Sequence, residues 1–130
     1  MSVMTTENVR PRVLMADDYK DLLGAFERLL SPSCDVVGCV SDGDALFEAM
    51  GRLQPHVIVL DVYMPPTNGF EICREIKRRS PATAVIIVSA APDRDVREQA
   101  IEAGASAFVA KGAAIDDLLP AIKRAMPKAR

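Results

Sequence analysis

The chain has 130 residues, 49% of them hydrophobic and 26% charged, which describes one soluble globular domain rather than a disordered segment. Its net charge of −2 and lack of any long Lys/Arg block give no reason to expect nucleic-acid binding. No apolar run approaches membrane-spanning length, and the first residues lack the apolar core of a signal peptide, so a non-membrane, cytoplasmic protein is expected. Three cysteines, Cys34, Cys39 and Cys73, show no CxxC spacing and fit a reducing compartment. The one histidine, His56, leaves no room for a histidine triad or a multi-imidazole metal site.

Residues 1–10 are aperiodic and read as a flexible lead-in to a single domain spanning residues 11–127, with residues 128–130 as a tail. The run Arg12, Val13, Leu14, Met15, Ala16 predicts a short buried strand ending at Asp17 and Asp18. Leu22, Leu23, Phe26, Leu29 and Leu30 then recur at helical spacing until Ser31-Pro32-Ser33 interrupts them. Residues 34–40 are β-rich but contain Asp35 and Gly38, as suits an edge strand. Ser41 and Asp44 resemble a capping box for a second helix whose buried face is Leu46, Ala49, Met50 and Leu53. Gly51 weakens the end of that helix and Pro55 prevents its continuation.

Val57, Ile58, Val59 and Leu60 form an unbroken apolar run, the pattern of a strand covered on both faces, and it ends at Asp61. Met64-Pro65-Pro66 and Asn68-Gly69 turn the chain into a third helix carrying Phe70, Ile72, Cys73 and Ile76. That helix closes in Lys77-Arg78-Arg79, which fits either a docking patch or simple compensation of the helix dipole. Residues 84–88 are again an unbroken apolar strand, ending in Ser89. Residues 93–103 predict a weakly amphipathic helix with Val96, Ala100 and Ile101 inward and Gly104 as its C-terminal cap. A fifth strand over residues 106–110 ends at Lys111, and Ile115, Leu118, Leu119, Ile122 and Met126 mark the last helix. Pro120 is tolerable there only near the first turns.

Five strand–helix repeats predict an α/β flavodoxin-like (βα)5 three-layer sandwich with a parallel sheet in the order 2-1-3-4-5. Every polar strand end then falls on one edge, and Asp17 and Asp18 lie beside Asp61 at the switch point between the first and third strands. Either Asp17 or Asp18 can also serve as the N-cap of the first helix. Three clustered carboxylates repel one another unless a cation joins them, and all-oxygen ligands favour a hard ion such as Mg²⁺. Lys111 adds a point charge and Ser89 a hydroxyl donor, so the edge offers what a phosphoryl group needs around it. A free carboxylate is a competent nucleophile for that group, and Asp61 is the best placed to become an aspartyl phosphate.

With Asp17-Asp18, Asp61-Val62-Tyr63-Met64-Pro65, Gly69, Ser89-Ala90 and Phe108-Val109-Ala110-Lys111 all present, residues 13–126 resemble a bacterial two-component response-regulator receiver domain of the CheY-like superfamily. The resemblance implies phosphoryl transfer to Asp61 from a phosphohistidine on a sensor histidine kinase or a histidine phosphotransfer protein. It implies Mg²⁺ held by Asp18, Asp61 and the backbone carbonyl of Tyr63, with Asp17 acting through water. It also implies that Lys111 pairs with the phosphate and Ser89 moves to bond it. Phe108 then rotates inward, remodelling the surface of the fourth helix, fifth strand and fifth helix that controls a partner or output domain, with homodimerisation as one consequence of phosphorylation.

Two features bear on how this chain would differ. Gly112 stands where the family usually has proline after a cis bond; a non-proline cis bond costs roughly 2.5–4 kcal/mol, so a trans bond or a rearranged loop is expected at Lys111-Gly112. Tyr63, two residues beyond Asp61, is placed to shield a phosphoryl group there from water. Other readings are a receiver-like adaptor that is never phosphorylated, and an aspartate-nucleophile phosphatase. The phosphatase class needs a DxD on its first strand and usually carries a cap insertion; neither is present. On the receiver reading the chain is a phosphoacceptor with at most slow self-dephosphorylation, not an enzyme. It ends in Pro127-Lys128-Ala129-Arg130, which suits a stand-alone receiver or a piece of a longer regulator, and the run from Ser41 to Leu46 is similar to receivers attached to helix-turn-helix outputs.

Overall fold

The computed structural model describes residues 9–126. The expected lead-in and tail lie outside the described residues, Val9 and Arg10 excepted. Five strands, β1 (Arg12–Ala16), β2 (Asp35–Val40), β3 (Val57–Asp61), β6 (Ala84–Ser89) and β7 (Ala107–Ala110), form a parallel sheet in the order β2-β1-β3-β6-β7. That is the predicted 2-1-3-4-5 order, because β4 (Tyr63–Met64) and β5 (Thr67–Asn68) pair only with each other in a small antiparallel ribbon. The ribbon's two-residue strands are too short to carry a period, so the sequence shows only a turn there. Helices α1 (Lys20–Leu30), α2 (Gly43–Leu53), α3 (Gly69–Arg79), α4 (Arg94–Glu102) and α5 (Ala114–Ala125) follow the main strands in turn. Among the described residues no helix is long and apolar enough to cross a membrane.

Burial follows the sequence pattern. All of β3 and β6 is buried, as continuous apolar runs require, whereas β2 is half-exposed, as expected of an edge strand. The core falls into two clusters, one on each face of the sheet. The first joins Leu14, Ile58, Leu60, Val85 and Ile87 to Leu46 of α2, Ile72 and Ile76 of α3, and Ala100 of α4. The second joins Val13, Met15, Val57, Val59, Ile86 and Val88 to Leu23, Phe26 and Leu30 of α1 and Leu118 and Ile122 of α5. Alternate residues of each strand thus serve opposite faces. Each fully buried Leu or Ile contributes about 1.5–3 kcal/mol, so both slabs hold the strand ends firmly in register.

Helix ends differ from the sequence expectation in three places. Neither Asp17 nor Asp18 caps α1; its N-cap is Tyr19, without a side-chain bond, because Asp17 is turned into the sheet edge and accepts from the Tyr19 amide at 2.9 Å. The α2 cap is Asp42 rather than Ser41, since Asp42 is the last extended residue and its Oδ1 accepts from Ala45 N at 2.8 Å. In α5, Pro120 lies well inside the helix, and Ile115, counted as inward-facing, is 79% exposed. Pro120 is itself on the exposed side, where water can take the carbonyl its missing N–H leaves free.

The basic end of α3 is used locally. Lys77 Nζ donates to Pro81 O and Thr83 O, and Arg78 and Arg79 both pair with Glu75. Gly104 after α4 has φ +102, the left-handed conformation expected of its cap position, and a Cβ there would lie 2.9 Å from Lys77 Cγ. His56 sits at the opposite sheet edge from the strand-end carboxylates and accepts from Arg12 N through Nδ1 at 3.0 Å, so its proton resides on Nε2. Burial, and then the Arg12 charge, depress its pKa. The cysteines are free thiols, Cys34 and Cys73 buried and Cys39 exposed. Burial pushes the Cys73 thiol up to about 11.

Candidate functional site

The strand ends converge as the topology requires. In register Ala16 lies beside Leu60, Asp61 beside Val88, and Ser89 beside Ala110, so the residues that end β1, β3, β6 and β7 form one row. Asp17, Asp61 and Ser89 are buried, with exposures of 3%, 4% and 5%; Asp18 is exposed. Buried acids of this kind are costly unless paired. Lys111 supplies the pairing: its Nζ is 2.9 Å from Asp17 Oδ2 and 3.2 Å from Asp61 Oδ1.

The loop after β3 is built against the backbone of Asp61. Val62 N donates to Val88 O at 3.1 Å, which extends the β3–β6 ladder by one bond beyond the acid. Gly69 N donates to Val62 O at 2.7 Å, and a Cβ on Gly69 would fall 2.3 Å from Asp61 O. Only glycine allows the first residue of α3 to lie this close to Asp61. Asn68 caps the helix, its side chain accepting from Glu71 N at 3.0 Å, and the Pro65-Pro66 bond is cis. No other cis bond occurs among the described residues, so Lys111-Gly112 is trans, as expected for a glycine there. Residues Lys111–Ala113 form a single 3-10 turn that leads into α5.

The charges are only partly balanced. Burial, then the Asp17 charge, raise the Asp61 pKa, and Lys111 pulls it back down. Burial works against the charge on Lys111, but Asp17 and Asp61 outweigh it and its pKa is raised. Asp17 Oδ1 is satisfied by Tyr19 N. Asp17 Oδ2, though at ion-pair distance from Lys111, is buried with no well-directed hydrogen-bond donor. The distance establishes attraction, but this buried oxygen accepts no hydrogen bond.

Asp17, Asp18 and Asp61 each offer a carboxylate oxygen within 4.8 Å of the others. An orphaned buried oxygen inside an all-carboxylate donor set fits a hard divalent cation well. Ser89 Oγ accepts from Ala91 N at 3.0 Å, which leaves its own proton available to an incoming acceptor. Tyr63 is 66% exposed on the ribbon beside the site. Phe108, expected to turn inward only on activation, is already buried at 7% exposure, and the Arg97 guanidinium lies over its ring. Sequence reasoning missed Arg97, because the two residues belong to different elements and no local period connects them. An apolar groove between α1 and β2, lined in part by Leu23, Gly24 and Cys39, shares no residue with the acidic cluster.

The family model of the response regulator receiver domain matches residues 13–123. The chain is 34% identical over 122 residues to the transcriptional regulatory protein PdtaR of Mycobacterium tuberculosis, an alignment covering 92% of this chain and 58% of that protein. It is 32% identical over 115 residues to the uncharacterized transcriptional regulatory protein YvfU of Bacillus subtilis, covering 87% of this chain and 58% of the relative. The chain therefore spans little more than half the length of these relatives. Among solved structures, the signal receiver domain of the response regulator NarL from Mycobacterium tuberculosis superposes with a TM-score of 0.78 at 28% identity, over 88% of this chain and 97% of that one. A LuxR-family two-component response regulator from Aurantimonas superposes with a TM-score of 0.84 at 25% identity, over 89% and 84% of the two chains. A buried acid flanked by carboxylates and a lysine at the end of a 2-1-3-4-5 sheet, together with these matches, makes the chain a member of the response regulator receiver domain family of two-component signalling.

Proposed function

We propose that Asp61 accepts a phosphoryl group from a phosphohistidine of a sensor histidine kinase or a histidine phosphotransfer protein. The observation that carries this reading is the placement of Asp61, 4% exposed, beside Asp17, with one lysine Nζ bridging the two acids, 3.2 Å from Asp61 Oδ1 and 2.9 Å from Asp17 Oδ2. A carboxylate oxygen of Asp61 attacks phosphorus, the P–N bond breaks, and the donor imidazole leaves with the electron pair and takes up a proton. Asp17, Asp18, Asp61 and the Tyr63 backbone carbonyl are the groups that would hold Mg²⁺. When bound, that ion supplies positive charge for the transferring phosphoryl oxygens.

Lys111 loses part of its pairing to Asp61 once the carboxylate is esterified, and its N–H donors turn to the phosphoryl oxygens. Ser89 gives up its Ala91 contact and donates its hydroxyl proton to the same group. The change at Ser89 reaches Phe108 and so the surface of α4, β7 and α5, which passes the signal to an output domain, a separate partner or a second copy of the chain. The receiver then spans residues 11–127 and acts in the cytoplasm as a phosphoacceptor that releases phosphate slowly, not as a turnover enzyme.

Incubation with acetyl phosphate and Mg²⁺ tests this. Intact mass should rise by one phosphoryl group in the wild type and stay unchanged in Asp61→Asn. No adduct on the wild type would favour an adaptor that works without phosphorylation, and turnover of phosphate esters would favour a phosphatase. Tyr63 carries a second expectation. Its exposed ring, two residues past the acceptor, shields the acyl phosphate from water. Tyr63→Ala should therefore shorten the lifetime of the adduct several-fold after the phosphodonor is removed, and an unchanged lifetime would refute the shielding role.

A further inference from the structure

Phe108 and Ser89 share one face of the sheet. Ile87 pairs with Phe108 and Ser89 with Ala110, so Phe108 sits two positions behind Ser89 on the neighbouring strand, with side chains of the same parity. That face belongs to the slab containing Ile87, Ala100 and Val96, into which the ring of Phe108 is packed. Arg97, one residue beyond Val96 on α4, places its guanidinium carbon 5.1 Å from the ring centroid. Its charge has no competing use, because among the described residues Arg97 takes part in no ion pair. Asp93, the N-cap of α4 one turn before Arg97, accepts from Val96 N through Oδ1 at 2.9 Å. A cation over an aromatic face favours the arrangement in which the ring stays beneath it.

We infer that Arg97 is a positioning residue: it holds Phe108 inward before phosphorylation and so biases α4 and β7 toward the arrangement that favours a phosphoryl group on Asp61. The inference rests on the phosphoacceptor reading for its effect on chemistry, but the hold on the ring stands by itself. A ligand can shift a two-state element only by its differential affinity for the two states, and by the same linkage a residue favouring one state raises the apparent affinity for what that state binds. An exposed cation–π contact amounts to roughly a two- to fivefold bias in such an equilibrium.

The full chain, labelled with 4-fluorophenylalanine at its four phenylalanines, tests the inference, with the Phe108 signal assigned from Phe108→Leu. Arg97→Met keeps most of the aliphatic stem and removes the charge; the residue is exposed, so the variant is expected to fold. Its Phe108 fluorine signal should move while the other three stay in place. Its rate of phosphorylation by acetyl phosphate should fall about two- to fivefold. Arg97→Lys should restore part of both effects, which a merely structural role for the side chain would not produce. A Phe108 signal unmoved in Arg97→Met overturns the positioning role. A moved signal with an unchanged rate overturns the coupling to Asp61. A wild type that takes up no phosphoryl group removes the phosphoacceptor reading and with it the coupling, while the fluorine signal still decides the hold on the ring.

Discussion

Gly69→Ala is expected to lower the unfolding free energy by about 3–5 kcal/mol, far outside the range of an ordinary Gly-to-Ala change at a helix start. The added methyl would lie 2.3 Å from Asp61 O, 2.9 Å from Val62 Cα and 3.0 Å from Asp61 C. All three are backbone atoms, so no side chain can rotate away; the start of α3 or the end of β3 must move. The amide of Gly69 is also bonded to Val62 O, so that movement breaks a hydrogen bond as well as relieving a clash. Because the displaced backbone carries Asp61, phosphorylation by acetyl phosphate should fall along with stability. Gly51→Ala is the control: a Cβ there meets nothing within 4 Å, and Ala inside a helix should stabilise by about 0.5–1 kcal/mol. Urea titrations of both variants decide the matter, and a Gly69→Ala midpoint close to the wild type would mean that the β3–α3 junction has slack.

The second large effect is expected from Lys111→Met. This change leaves Asp17 and Asp61 facing each other, with side-chain exposures of 4% and 5%. Removing one partner of a buried ion pair costs about 3–5 kcal/mol where the site is closed; with Asp18 exposed to water beside it, a loss of about 2–4 kcal/mol is expected here. Mg²⁺ should return much of that loss, because a cation bound only to the folded chain stabilises by about 2.7 kcal/mol at one hundred times its dissociation constant. The gain on adding Mg²⁺ should be larger in the variant than in the wild type, since lysine and cation compensate the same negative charge. Urea melts in chelator and in Mg²⁺ measure both quantities. A variant as stable as the wild type in chelator would show that Lys111 contributes little to holding the two acids together.

Much of this arrangement is legible in the residues alone, and the reason is geometric. A strand covered on both faces must be apolar throughout, so the places where Val57 to Leu60 and Ala84 to Val88 give way to Asp61 and Ser89 mark strand ends directly. Parallel connection then puts those ends on one edge without further information. Asp35 and Gly38 within β2 likewise told edge from centre, and its half-exposed pattern agrees. What stayed hidden depends on contacts between elements or on side-chain direction. Asp42 outcompeted Ser41 as a cap because backbone conformation, not residue type, decides which of two adjacent polar residues is the last extended one. Ile115 matched a helical period yet faces solvent, since the period does not say where the helix begins relative to the sheet. The close approach of Gly69 to Asp61 and of Arg97 to Phe108 are tertiary facts with no local signature.

The two core clusters have a consequence for how such a protein can change over generations. By strand alternation, Asp61 shares its parity with Val57 and Val59, in the slab of α1 and α5, whereas Ser89 shares its parity with Val85 and Ile87, in the slab of α2, α3 and α4. The acid and the hydroxyl meet only at the rim, each rooted in a different body of packed side chains. Substitutions that loosen Leu23 or Leu118 bear on the slab that carries Asp61, and those that loosen Ile76 or Ala100 bear on the slab that carries Ser89. The two slabs can thus be repacked separately over generations, joined only where two adjacent strands end.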